Sequence, residues 1–319
     1  MDHPELITIF GGSGFVGTQV VQLLARAGYR VRVAVRRPDL AGHVKPLGNV
    51  GQVVPIQANV RNKDSVAPAV RGASVVINLA AIGIEKGRQR FRAVNVMGAR
   101  NVAEAAKLAG VQTLVQMSVL GADERSQSLF ARSRALGEAE VRSVFPSAII
   151  FRPSVIFGVG DSFFNTIGSL TRVLPVMPLF GGETKFQPVY VGDVAEAIAE
   201  AAKGNARAGT TYELGGPEIL SNHELTELVL RYTNRRNPIL PLPLGVGTLL
   251  SIPMGLMPKP LLTADRVRLL GMDNVVSEAA IADRRTLQGF GIIPRPLDAV
   301  LPSYLWRFSQ NGQFDRQTA

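Results

Sequence analysis

The stretch LITIFGGSGFVGTQVVQLLARAG, residues 6–28, decides how the chain folds. LITIF (6–10) is a short apolar run of β-formers. TQVVQLLARAG (18–28) carries its apolar residues at helical spacing. GGSGFVG (11–17) joins them, so the reading is strand, glycine turn, helix. The glycines stand at Gly11, Gly14 and Gly17, a GxxGxxG spacing, and each has its own task. Gly11 permits a tight turn. Gly14 lets a phosphate approach the backbone N–H groups at the helix start. Gly17 lets helix and strand pack closely. Glycines alone would suit any loop; the strand before them and the helix after them point to a dinucleotide.

Outward from this unit, YRVRVAVRRPD (29–39) reads as the second strand and its exit. A fold that prefers NAD would put an acid near the end of that strand, about 20 residues past the glycines, to hold the ribose hydroxyls. No Asp or Glu lies between Gly17 and Pro38; Arg36 and Arg37 stand there instead. Guanidinium groups pair with a phosphate dianion that an acid would repel, so NADP(H) is the expected cofactor. GQVVPIQANV (51–60), ASVVINLAA (73–81) and QTLVQMSVLGA (112–122) read as the third, fourth and fifth strands, the last ending at Ser118. FRAVNVMGARNVAEAAKLAG (91–110) reads as a helix with Asn95 in its first part. Strands alternating with helices predict an α/β fold: a doubly wound parallel Rossmann sheet, with its ligand at the carboxyl ends of the strands. The pattern changes after about Val155. Residues 1–155, completed by about 186–205, are expected to form the nucleotide domain. Residues 156–185 and 206–319 are expected to form a smaller C-terminal α/β cap.

Composition bounds the function. The chain has 319 residues, 46% apolar and 19% charged, enough for a sizeable core. It has no cysteine, hence no disulfide framework and no thiolate metal site. Its three histidines, His3, His43 and His223, lie far apart without ligand spacing, so no metal is expected. MDHPE leads straight into a strand, which predicts no export signal. The formal net charge of +10 suits an anionic partner. No aromatic-interleaved basic motif or zinc pattern accompanies it, so nucleic acid is not expected.

A second stretch, SLFARSRALGE (128–138), bears on chemistry. In one large class of nicotinamide-dependent reductases, the positions of Phe130 and Arg134 hold Tyr and Lys. Phe130 has no ionisable group and cannot act as general acid or base. Arg134 keeps the positive charge but has no exchangeable proton at neutral pH. The ribose contact can therefore survive while the proton relay is lost. Among the tyrosines, Tyr190 in FQPVYVGDV is expected to pack on the Rossmann side ahead of Asp193 and not to transfer protons.

GGSGFVG, NLAA, VNVMGARNV and Ser118 resemble the extended and atypical short-chain dehydrogenase/reductase superfamily. RPSVIFGVGDSFFN (152–165), FQPVYVGDVAEAI (186–198), YELGGPE (212–218), DNVVS (273–277) and LPSYLWRF (301–308) narrow this. They resemble the nucleotide-binding accessory subunits of respiratory complex I (NADH:ubiquinone oxidoreductase) and their bacterial relatives. The resemblance implies that Gly11, Ser13, Gly14, Phe15 and Val16 line the pyrophosphate and that Arg36 and Arg37 meet a 2′-phosphate. It implies further that Asn59 and Val60 flank the adenine and that Ala80 and Ala81 border the second ribose. Ser118 would stand at the catalytic serine position, Arg134 would hold the ribose, and Pro153 and Val155 would bracket the nicotinamide.

The segment NPILPLPLGVGTLLSIPMGLMP (237–258) carries no charge. Its five prolines argue against a membrane span. Two readings stay open for it: cap core over the cleft, or an apolar surface that docks on a partner or at the membrane interface. The expected function is a non-catalytic NADP(H)-binding accessory or assembly subunit of respiratory complex I. Its expected partners are the other subunits, with a possible peripheral contact to an anionic membrane surface. Its expected place is the cytoplasmic side of the inner (respiratory) membrane. The alternatives are an NADPH-dependent reductase or accessory protein of quinone (ubiquinone) biosynthesis, and a scaffold that binds lipid or another anionic partner.

Overall fold

A computed structural model of the chain describes residues 5–255 and 262–310, together with Gly312. It divides the chain into two compact units. The first holds residues 1–153, 191–214 and 277–293, and the second holds 154–190, 215–276 and 294–319, so the chain passes between them five times.

The first unit is built on β1 (Leu6–Phe10), α1 (Phe15–Arg26), β2 (Arg30–Val35), β3 (Val53–Gln57), α2 (Lys63–Val70) and β4 (Val75–Asn78). A π turn, Arg92–Val96, leads into α3 (Met97–Leu108), followed by β5 (Thr113–Met117), α4 (Leu129–Val144) and β6 (Ile149–Pro153). The second unit adds β7 (Ile156–Phe157), α5 (Phe163–Val173), β8 (Met177–Phe180), β9 (Lys185–Phe186) and β10 (Val189–Tyr190). The chain then returns to the first unit as α6 (Val191–Ala202) and β11 (Thr211–Leu214). In the second unit again come β12 (Leu220–Ser221), α7 (Asn222–Tyr232), β13 (Ile239–Leu242) and α8 (Leu244–Gly255).

The main sheet has seven strands in the order β11-β6-β5-β4-β1-β2-β3, all paired in parallel. Its central strands read as apolar runs because both faces are covered; all four residues of β4 are buried. Helices α2 and α3 seal one face through Val66, Val70, Val102 and Ala106 against Val76 and Leu114.

The domain boundaries differ from those expected. Segments 206–214 and 277–293 were assigned to the cap but belong to the first unit. β11 closes the sheet edge on β6. Segment 277–293 is tied to it by Glu213 N–H on Arg285 O (2.8 Å) and by Phe290 packed on Tyr212 and Phe151. Residues 186–190 were expected to help complete the nucleotide domain but fall in the second unit. Tyr190 is among them: its ring packs on Phe157, and the Arg295 guanidinium lies 4.9 Å over it.

The second unit packs its own core around Phe157, Phe164, Leu225, Leu301, Tyr304 and Phe308. Two polar knots, one buried and one half-buried, hold the late motifs together. Asp161 accepts the Tyr304 hydroxyl at 2.5 Å and the N–H groups of Phe164 (2.8 Å), Gly158 (3.3 Å) and Asn165 (3.3 Å). Burial holds the Asp161 carboxyl above its ordinary value, against the pull of these hydrogen bonds. The Asn274 side chain accepts from Ser154 Oγ (2.6 Å) and Val155 N (3.1 Å), while its backbone bonds Lys185 and Gln187.

Of the uncharged segment 237–258, β13 and α8 are described, and residues 256–258, Pro258 included, lie outside the described residues. The core reading is corrected here. Leu240, Leu244, Val246, Leu249 and Leu250 are all exposed, Leu249 to 69%. Among the described residues no helix is long and apolar enough to cross a membrane.

Candidate functional site

The glycine turn forms as its spacing demands. Gly11 has φ +78°, and a Cβ there would meet the Leu79 and Ala80 backbone at 3.1 Å, so the turn lies against the exit of β4. A Cβ on Gly17 would come within 2.4 Å of Gly11 O and 2.6 Å of Gly12 Cα. Gly17 therefore admits the turn itself against α1, and it is Gly12 that touches the strands, through Ile9 and Val33. Gly14 caps α1 without a side-chain hydrogen bond, and no acid stands in the first turn. The first amides, those of Phe15 and Val16 included, are left for an anion.

The expected ribose reader differs in detail. Arg36 and Arg37 are both exposed at the β2 exit. Arg37 is engaged by Asp39, with Nη2 at 2.6 Å and Nε at 3.0 Å from the carboxylate. This pairing raises the arginine and lowers the acid. Arg36 has no partner among the described residues.

Past β3, Asn59 is half-buried and its Oδ1 accepts from Arg61 N at 3.2 Å. Val60 is a core residue: it is 8% exposed, and a Cβ on Gly98 would lie 2.9 Å from its Cγ2. Its side chain thus lies beneath α3, and only its backbone stands at the strand exit. Ala80 is half-buried beside the turn and Ala81 is exposed.

A buried polar chain runs across the next strand ends. Asn78 Nδ2 donates to Gln116 Oε1 (2.8 Å), and Asn78 Oδ1 accepts from Ala80 N (3.1 Å). These two residues escaped the sequence reading; the available signal was an amide inside each of two apolar strands. Asn95, in the π turn, pins the β4 exit to α4. Its Oδ1 accepts from Ile82 N (2.9 Å), and its Nδ2 donates to Ile82 O (3.1 Å) and Ser133 Oγ (2.9 Å). Gly137 of α4 accommodates the π turn, since a Cβ there would strike Asn95 O at 2.3 Å.

At the carboxyl end of β5, Ser118 is 1% exposed, and its N–H donates to Phe151 O at 2.6 Å. Its hydroxyl has no partner among the described residues. Arg134 is 4% exposed; its Nη2 donates to Met117 O, while its Nε is buried and unpaired. Burial lowers this guanidinium to about 10, with Glu138 acting in the other direction. Phe130 is half-buried with its ring 6.0 Å from that of Phe91. Leu120 N donates to Pro153 O (2.9 Å), which fixes the end of β6 beside this loop. Val155 lies in the second unit, against that unit's core.

The residues present fit a nicotinamide dinucleotide. A glycine cradle would be filled by a single Cβ, uncapped amides end it, and two buried polar atoms at the β5 end lack partners. Buried unpaired donors are costly unless a ligand satisfies them. When bound, the nucleotide supplies a hydride donor or acceptor. Ser118 Oγ and Arg134 Nε, both unpaired among the described residues, are the groups that would hold its hydroxyls. Phe130 supplies no proton. Among the described residues, no group of His, Asp or Glu could hold a metal.

The NADH dehydrogenase (ubiquinone) 1 alpha subcomplex subunit 9 of Mus musculus, a mitochondrial protein, is 38% identical over 91% of this chain and 77% of its own length. The protein of the same name from Arabidopsis thaliana is 34% identical over 96% of this chain and 78% of its own. The crystal structure of gox2253 shares the fold, with TM-score 0.72 at 23% identity, covering 97% of this chain and 99% of that one. Residues 7–215 match the NAD dependent epimerase/dehydratase profile, and the chain belongs to that family.

Proposed function

We propose that the protein is an accessory or assembly subunit of a respiratory NADH:ubiquinone oxidoreductase, which holds NADP(H) as a structural or sensing element without turning it over. The observation that carries this reading is the β5–α4 corner. The donors that would hold a nucleotide are there and unspent, while the position of the proton donor is a phenyl ring packed on Phe91. Such a site binds without completing an acid–base reaction. The names of the relatives support the assembly. The preference for NADP(H) over NAD(H) rests on Arg36, exposed and uncommitted at the β2 exit, and on the absence of an acid between Gly17 and Pro38.

The partner-facing surface is assigned to the second unit. Its uncharged α8 exposes Leu244, Val246, Leu249 and Leu250, an apolar area suited to burial in a larger complex at a respiratory membrane. A cleft of about 480 Å³ lined by Arg231, Arg235, Arg236, His223 and Glu227 adds charge in that unit.

The test is to denature the purified protein and identify the released nucleotide and its redox state. Near-stoichiometric NADP(H), unchanged after incubation with a soluble quinone, is the expected result. NADPH consumed by the quinone would overturn the non-catalytic reading, and protein that neither carries nor takes up nucleotide would overturn the cofactor.

A further inference from the structure

Helix α7 ends in a knot of cations. Arg231, Arg235 and Arg236 line one open cleft of about 480 Å³ in the second unit. Arg235 is the anchored member: its Nε donates to Phe308 O at 2.8 Å and its Nη1 to Thr171 O at 3.4 Å. Arg231 and Arg236 are exposed and make no hydrogen bond or ion pair among the described residues. Glu227, the acid in the lining, lies 3.8 Å from His223. Two guanidinium forks thus stay open to an anion.

Apolar surface begins in the same cleft. Ile239, which lines it, opens β13, and Leu240 next to it is 50% exposed. Asn237, also in the lining, donates to Thr171 O (3.0 Å) and Leu174 O (2.6 Å), and so fixes a turn on which Val173 and Val176 are exposed. β13 leads into α8, which carries no charged residue and exposes Leu244, Val246, Leu249 and Leu250. From Arg231 to Met272 the sequence holds six cations and one acid. A helix without a charged face is stable when something covers it. With 12 residues α8 is about 18 Å long, too short for a hydrocarbon core of about 30 Å, so it can lie in a membrane interface but not cross it. We infer that the second unit docks on a bilayer containing anionic lipid. Arg231 and Arg236 hold headgroup phosphates at the mouth of the cleft, and Leu240 and α8 enter the acyl boundary beside them. A lipid phosphate plane is anionic throughout and lies directly over hydrocarbon, the two chemistries that this surface sets side by side. The inference rests on the reading of this unit as the partner-facing surface and names the partner.

The experiment is sedimentation of the full chain with vesicles of phosphatidylcholine alone and of phosphatidylcholine mixed with phosphatidylglycerol, with the melting temperature recorded for each variant. The wild type should bind the anionic vesicles at least about tenfold more tightly than the neutral ones, and added salt should narrow the margin. Arg231→Gln with Arg236→Gln should weaken anionic binding by about 25-fold, roughly fivefold per charge, at an unchanged melting temperature. Leu249→Ser with Leu250→Ser should remove the binding that survives high salt. Equal binding to both vesicle types, or binding to neither, would overturn the inference. So would anionic binding that the arginine pair leaves untouched, since the net charge of the chain would then account for it. Binding abolished by inorganic phosphate at constant ionic strength would make the cleft a site for free phosphate and not for a surface. A chain that ignores both vesicles but associates with the isolated respiratory enzyme would make a protein the occupant. A chain that carries NADP(H) yet ignores both vesicles would lose the lipid contact alone and keep the proposed function.

Discussion

The two units differ in how completely they satisfy their buried polar groups. In the second unit, Asp161 is saturated by a hydroxyl and three backbone N–H groups, and Asn274 is bonded on both side chain and backbone. Among the described residues of the first unit four buried side-chain atoms lack a partner: Arg61 Nε, Asn101 Oδ1, Ser118 Oγ and Arg134 Nε. Among the described residues the second unit has none. A closed network specifies a fold, and an open one carries a cost until something else completes it. Two of the open atoms, Ser118 Oγ and Arg134 Nε, stand at the β5–α4 corner proposed to take a nucleotide, while the late motifs hold their own unit together.

The comparison can be broken at several points. The largest effect is expected from Gly17→Ala, because the new Cβ meets backbone atoms that cannot rotate away. Nucleotide affinity should fall by at least about 100-fold, with roughly 2 kcal/mol or more lost from chemical unfolding. A folded variant that binds normally would refute the cradle. Next is Asp161→Ala, which strands the Tyr304 hydroxyl and three N–H groups in a closed core. It should cost about 3 kcal/mol in urea titration, and saturating nucleotide should not remove the deficit.

Arg134→Met sharpens the contrast, because it removes a buried cation that the protein only half satisfies. The ligand-free variant should be as stable as the wild type or more so, yet bind nucleotide about tenfold more weakly. A large loss of ligand-free stability would place Arg134 with the closed networks. The smallest effect is a pH dependence. The native Asp161 carboxyl holds its proton more tightly than the unfolded one, so protonation favours the native state. That contribution is full below the ordinary value of 3.8 and is lost as pH rises through the raised native value. Relative to Asp161→Asn, the wild type should gain stability on acidification from about pH 7 toward pH 4. No trend, or the reverse, would contradict the burial of that carboxyl.

What the sequence disclosed tracks this same division. β1 to β5 and the glycine turn were legible because local pattern decides them: apolar runs for buried parallel strands, glycines where no Cβ fits. The return of β11 and of 277–293 to the first unit was not legible, since pairing partners about 60 residues apart leave no periodic mark. Asn78 and Gln116 looked like ordinary strand residues, and only their pairing across neighbouring strands reveals the polar chain. The Arg36–Arg37 pair stood out as two cations at a strand exit, but the claim of Asp39, two residues on, to one of them is a matter of side-chain geometry. Exposure of α8 was hidden for a simpler reason: apolar composition states what a segment prefers, not what covers it.

The repeated passage of the chain between its units sets a timetable for synthesis. β6 leaves the ribosome with one edge bare, and the strand that covers it, β11, begins about 60 residues later. At translation rates of roughly 5–20 residues per second that gap lasts about 3–12 s. Through that interval the nascent sheet presents an unpaired parallel edge rich in Ile and Phe, a template for mispairing with another growing chain. A chaperone that shields this strand during elongation, or faster elongation that shortens the interval, would change the yield of folded protein without altering a single native contact.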